Sequence, residues 1–194
     1  QADLVAQELD HRVKNLFAVI WSRITLSARG STDVPSTIEK IRNRIHALSL
    51  AHSVSQGTTG IRSVEIKELL GATLAPYRNA HNVVSHDGPD ITLPAATITP
   101  LGLIMHEMAT NAVKYGALSV PDGSVSVKWE KVEDAGGTQA LITWTEQGGP
   151  PTTAGGAQGF GSSMIAASAQ QLNGVLEHHW HESGLTVNLR FPLG

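Results

Sequence analysis

The sequence predicts an α+β protein: an N-terminal antiparallel helical hairpin, then a two-layer α/β sandwich with a largely antiparallel or mixed sheet. Three observations predict it. Two apolar stripes at helical spacing open the chain, with Gly30 and Pro35 between them. A Gly/Thr-rich break at residues 56–60 then changes the pattern to short alternating segments and single helices. Among these, a long apolar run beginning near Pro100 carries His106-Glu107-Met108-Ala109-Thr110-Asn111-Ala112-Val113-Lys114-Tyr115-Gly116. The boundary falls after residue 57, giving a hairpin over 1–57 and a sandwich over 58–194.

The first helix is expected over residues 3–29. Leu9, Val13, Leu16, Ile20 and Ile24 recur at spacings of 4, 3, 4 and 4, which is one apolar face. His11 lies roughly opposite that face and is expected in solvent, flanked by Arg12 and Lys14. Gly30 is a natural helix stop. Pro35 and the capping pattern Ser36-x-x-Glu39 start the second helix, whose stripe is Ile38, Ile41, Ile45, Leu48 and His52. Two such helices joined by a short loop make an antiparallel hairpin. A hairpin alone buries little, so dimerisation into a four-helix bundle is expected, with packing onto the rest of the chain as the alternative.

After the break, residues 61–66 suggest a short strand and 66–75 a helix stopped by Pro76. Residues 81–85 and 91–93 are strands around the turn Asp87-Gly88-Pro89-Asp90. The central helix is expected over 97–115. At ~100° per residue, Glu107, Asn111 and Lys114 share a narrow arc, and Leu101, Ile104, Met105, Met108 and Ala112 fill the adjacent one. One side should be buried. Residues 125–132 and 140–145 alternate as strands about Asp134-Ala135-Gly136-Gly137. Residues 148–161 read as a Gly/Pro-rich loop, 162–172 as a helix, and 175–180 with 185–191 as a closing hairpin.

Composition excludes several classes. With 194 residues, 41% of them hydrophobic, one medium domain or two small ones can bury a core. A formal charge of −3 argues against a broad nucleic-acid surface. The chain has no cysteine, so disulfides, thiolate metal sites and thiol catalysis are absent, which fits a cytoplasmic protein. No apolar run approaches the ~18–20 residues of a membrane span, and no signal peptide is present. The chain opens at Gln1 directly into a helical pattern, so a further domain is expected upstream.

The edge Glu107–Asn111–Lys114 offers a carboxylate, an amide and an ammonium. These suit a metal-bound polyphosphate: oxygen ligands for Mg²⁺ and a point charge for phosphate. A zinc-protease motif fails, because the second His of His-Glu-x-x-His would stand where Thr110 is. A solvent-facing histidine such as His11 can attack phosphorus, with Arg12 and Lys14 neutralising phosphate, Asn15 beside the imidazole and Asp10 or another carboxylate taking its proton. An ordinary exposed histidine is the simpler alternative. Gly148-Gly149-Pro150 follows a strand and Gly159-Phe160-Gly161-Ser162 precedes a helix. Glycines let backbone approach a ligand, and a helix start offers N–H groups to phosphate. A flexible surface loop reads the same residues without a ligand. Glu146 could accept a hydrogen bond from an exocyclic amine such as that of adenine, or simply solubilise a strand end. Trp144 reads as core, and His106 as either structural or ligand-facing. His178, His179 and His181 read as surface residues.

Together these stretches resemble the HWE family of bacterial sensor histidine kinases, over nearly the whole chain. Asp10-His11-Arg12-Val13-Lys14-Asn15 looks like its phosphoacceptor box, and His106-Glu107 through Lys114-Tyr115-Gly116-Ala117-Leu118-Ser119 like its N-box. Trp144-x-Glu146-x-Gly148-Gly149-Pro150 looks like its modified adenine box, and Gly159-Phe160-Gly161 like its lid-proximal glycine box. The signature letters would be His106, Trp144 and Glu146. The resemblance implies a dimerisation and phosphotransfer hairpin followed by a GHKL-type ATP-binding domain. It implies that ATP binds with Mg²⁺, that the γ-phosphate moves to His11, and that an aspartate in the receiver domain of a response regulator then takes it. By the same resemblance Asn111 coordinates Mg²⁺, and Lys114 contacts phosphate. Glu107 holds the metal or orients and deprotonates the nucleophile, and Tyr115 lines the nucleotide pocket. Glu146 stands where other histidine kinases have an adenine-reading Asp, and Gly148, Gly159, Phe160 and Gly161 form the nucleotide loop. It further implies a sensor domain upstream and a hinge near 56–60. Departures from the general histidine-kinase pattern are Glu at 146, Gly-Gly-Pro for Gly-x-Gly, and a short lid over 151–159. Two other readings compete: a GHKL-type ATPase without a phosphohistidine, which would lack the His11 box, and a non-catalytic nucleotide-binding signalling module.

Overall fold

A computed structural model describes residues 64–78, 82–134, 137–151 and 160–193. All of them lie within one compact unit, Ala47–Gly194. The two expected N-terminal helices, the phosphoacceptor box from Asp10 to Asn15, the break at 56–60, and the lid beyond Pro151, Gly159 included, lie outside the described residues.

The elements run β1 (Val64–Glu65), α1 (Ile66–Leu74), a 3₁₀ turn (Ala75–Tyr77), β2 (Val83–Asp87), β3 (Thr92–Leu93) and α2 (Ala95–Lys114). A second 3₁₀ turn (Ala117–Ser119) leads to β4 (Ser124–Asp134), β5 (Gly137–Gln147), α3 (Phe160–Gln171), β6 (Val175–His181) and β7 (Gly184–Pro192). The main sheet has the order β2-β4-β5-β7-β6, and β1 and β3 form a separate antiparallel pair. β2 runs parallel to β4, and the remaining pairs are antiparallel, so the main sheet is mixed as expected.

Alternation explains the two layers. Val125, Val127 and Trp129 of β4, Ala140, Ile142 and Trp144 of β5, and Val187, Leu189 and Phe191 of β7 point to one face and are buried. The helices supply Leu69, Leu70 and Leu74 from α1, Ile98, Leu101, Ile104, Met105 and Met108 from α2, and Ile165 and Ala169 from α3, with Leu172 just beyond its end. The opposite face is polar, with Ser124, Ser126, Lys128, Thr143, Thr145 and Gln147 lining a shallow groove.

Two sequence expectations change, and one pairing that the sequence left open is settled. The strands flanking the turn at Asp87–Asp90 are not partners: β2 joins β4, while β3 joins β1. The turn instead packs on β4, where Trp129 Nε1 donates to the Pro89 carbonyl at 2.7 Å. Helix α2 is buried around most of its circumference, Gly102, Leu103 and Ala109 included, rather than on one side. It contacts both α1 and α3, so it has helical neighbours on two flanks as well as the core. Finally, α3 begins at Phe160, so Phe160 and Gly161 are helical rather than part of the loop.

Candidate functional site

The candidate site gathers at the C-terminal end of α2 and the end of β5. Beyond Lys114 the helix closes with Tyr115 N–H and Gly116 N–H both donating to the Asn111 carbonyl, at 2.8 and 3.1 Å. The chain then turns through Gly116 into the short 3₁₀ turn. At that point Ala117 N–H donates to Glu146 Oε2 at 2.8 Å. The other carboxylate oxygen, Oε1, accepts the indole N–H of Trp144 at 3.0 Å. Glu146 thus bridges the turn after α2 and β5, the strand that carries it.

Period-two geometry explains the pairing. Trp144 and Glu146 are two apart on β5 and share its inner face. Trp144 is flanked by Val127 and Val187, and Glu146 by Val125 and Leu185. Glu146 is therefore a carboxylate among apolar side chains, only 7% exposed. Burial pushes its pKa above the ordinary value, and the bonds from Ala117 and Trp144 pull it part of the way back.

Glycines make room for this contact. A Cβ on Gly116 would overlap the Glu146 carboxylate, and one on Gly149 would lie 2.8 Å from Ala117 Cα. Gly148 holds φ +72°, the left-handed region that favours glycine. The loop after β5 thus starts with its backbone pressed against residues 116–117.

The predicted residues distribute as follows. Glu107 is buried at 8% exposure, Asn111 is half-buried, and Lys114 and Tyr115 are exposed. Glu107, Asn111 and Lys114 occupy successive turns of α2, and the Asn111 carbonyl closes the helix end at Tyr115 and Gly116. His106 Nδ1 is 2.7 Å from the Tyr77 hydroxyl, so this nitrogen ties α2 to the turn after α1. His179 and His181 face away from the core, as expected of surface residues. His178 shares the inner face with Trp180 and stacks on it at 6.3 Å, and burial pushes its pKa down.

The motif stretches contain Trp144, Gly116 and Gly149, but the sequence reading missed four contributions: the Trp144 N–H, the close approaches at Gly116 and Gly149, and Tyr77. The first was in reach, since residues i and i+2 of a strand share a face. The others depend on long-range packing that no local pattern carries. As for a nucleotide with Mg²⁺, the donor set fits: Asn111 and Glu107 supply hard oxygen atoms and Lys114 a cation. No group of three or more His, Asp or Glu that could hold a metal by itself occurs among the described residues.

The HWE histidine kinase family model matches residues 8–90. A blue-light-activated histidine kinase 1 of Erythrobacter litoralis is 37% identical over 97% of this chain and 53% of its own length. A blue-light-activated histidine kinase of Rhizobium johnstonii is 32% identical over 95% of this chain and 52% of its own length. Over residues 8–90 the chain matches that family, and over nearly its whole length it is similar to these histidine kinases. It spans about half the length of the curated relatives it matches. The histidine kinase domain of Erythrobacter litoralis EL346 blue-light activated histidine kinase shares its fold, with a TM-score of 0.68 and 22% identity over 97% of this chain and 94% of that one. The three residues that the sequence suggests as signature letters play distinct structural parts: His106 meets Tyr77, and Trp144 meets Glu146.

Proposed function

We propose that this chain is the core of an HWE-family sensor histidine kinase that uses ATP and Mg²⁺ to phosphorylate His11 and passes the phosphoryl group to an aspartate of a response regulator. The observation that carries this reading is the buried Glu146 carboxylate held at the end of the helix that presents Glu107, Asn111 and Lys114. A carboxylate acceptor for a base amine and an oxygen-and-cation edge for a metal polyphosphate meet there.

In this reading Asn111, with Glu107, would hold Mg²⁺, which neutralises the phosphates when bound. Lys114 neutralises phosphate charge as well, Tyr115 covers the nucleotide, and Glu146 receives the adenine amine. Gly148, Gly159 and the start of α3 at Phe160 and Gly161 shape the nucleotide loop. Phosphoryl transfer needs positioning and charge neutralisation more than covalent help. At His11 the imidazole attacks the γ-phosphorus and the ADP oxygen leaves, with Asp10 accepting the imidazole proton and Arg12, Lys14 and Asn15 framing the acceptor. The hairpin over 1–57 dimerises and carries His11, and 58–194 binds the nucleotide. The protein works in the cytoplasm under an upstream sensor domain.

The test is incubation with γ-labelled ATP and Mg²⁺, comparing wild type with His11→Ala. Label that resists base, is lost in acid and vanishes in the variant is expected. Label on both proteins would move the acceptor elsewhere. Sustained phosphate release from an unlabelled wild type would favour a GHKL-type ATPase.

A further inference from the structure

Trp144 is not a free-standing core residue. It is 1% exposed in the middle of the sheet, yet its only polar atom points at the carboxylate of the nucleotide site, 3.0 Å away. From the other side Ala117 N–H reaches the second oxygen at 2.8 Å. A third wall is Gly116, where any side chain would overlap the same carboxylate. Glu146 is therefore boxed: one donor grips each oxygen, and the turn after α2 closes over it.

We propose that Trp144 is a positioning residue for nucleotide recognition: its indole N–H and the Ala117 N–H aim the Glu146 carboxylate at the base amine, and this two-point grip is what makes the residue at 146 a glutamate. The inference rests on the nucleotide reading above and adds the device that sets its base specificity. Ionised carboxylates have about four lone-pair sites, so two bonds leave acceptor capacity for a ligand amine. Bonds from N–H groups to a carboxylate are among the stronger hydrogen bonds, and here both are shielded from water. An aspartate would place its carboxylate about 1.5 Å nearer the strand, one C–C bond shorter, and would fall short of Ala117 N. The aspartate common at this position in other histidine kinases does not suit this frame.

The experiment measures affinity for Mg·ATP and for the triphosphate of purine riboside, which lacks the 6-amino group. It compares wild type, Trp144→Phe, Gly116→Ala and Glu146→Asp, with thermal melting as a folding control. Wild type should prefer ATP. Trp144→Phe keeps an aromatic ring but loses the N–H, and should weaken ATP binding about tenfold while barely changing the analogue, so that the preference shrinks. The loss should fall on KM for ATP rather than on kcat. Gly116→Ala reaches the carboxylate without touching the tryptophan and should shrink the preference in the same way. Glu146→Asp should fail to restore it. Equal weakening of both triphosphates in a folded Trp144→Phe, or an undiminished preference in it and in Gly116→Ala, overturns the positioning role. A wild type that binds both triphosphates equally overturns this inference but leaves the kinase reading standing. A wild type that binds neither overturns both.

Discussion

The hydroxyl of Tyr77 meets two side chains of α2: His106 Nδ1 at 2.7 Å and Thr110 Oγ1 at 3.1 Å. Thr110 donates its own proton to the His106 carbonyl at 2.8 Å. With each hydroxyl carrying one proton, all three contacts are hydrogen bonds only if Tyr77 donates to Thr110 and His106 Nδ1–H donates to Tyr77. Burial keeps the Tyr77 pKa above its ordinary value, so the phenol stays protonated at neutral pH. Tyr77→Phe removes both contacts and is expected to cost about 1–2 kcal/mol in urea unfolding; an unchanged midpoint would mean the cluster contributes nothing net. Glu146 carries a second residue-scale prediction. Its folded-state pKa is raised from the ordinary 4.5. The folded protein therefore holds this proton more tightly, so the group's stabilisation is full below the unfolded value and lost as pH rises through the folded one. As pH rises above the ordinary carboxylate value, wild type should lose stability relative to Glu146→Gln. Parallel stability profiles for the two would show that the carboxylate is not desolvated.

At the scale of elements, the turn between β2 and β3 shows how a short contact redirects pairing. A turn with Gly88 and Pro89 between two strands invites a hairpin, yet the chain turns across Trp129 of β4 instead. A Cβ on Gly88 would come within 2.5 Å of the Trp129 carbonyl and ring. Gly88→Ala is expected to destabilise by about 1–3 kcal/mol, as overpacking does, and to shift the tryptophan fluorescence. A variant as stable as wild type would show that the turn can lift off the sheet. Helix α3 ends differently from a loop-bounded helix. Asn173 sits at φ +50° and Gly174 N–H donates to the Ala169 carbonyl at 2.9 Å, a left-handed cap that delivers the chain into β6.

For the molecule as a whole, β4, β5 and β7 are interior strands with partners on both sides, and β2 and β6 are the edges. β6 is exposed along most of its length, including Val175 at 61% and Trp180 at 44%. Native-state hydrogen exchange should be slowest at amides of β5 and faster at β6, because edge amides open without breaking the core. Uniform exchange across the sheet would contradict this order.

Patterning by itself determined the α+β class, the extents of α2, β4 and β5 to within a few residues, and the core placement of Trp144. Each follows from a local period, 3.6 or 2, that survives in any context. The motif residues were equally legible, because Glu107, Asn111, Lys114 and Glu146 are side chains named by the sequence itself. Only the tertiary structure decided that β2 pairs with β4, that α2 is enclosed rather than one-sided, and that the Glu146 carboxylate is gripped by Ala117 and Trp144. Ala117 and Glu146 are 29 residues apart. Their contact depends on a mixed sheet bringing the end of a helix beside the end of a strand, and no periodicity encodes which distant backbone N–H a buried carboxylate will find.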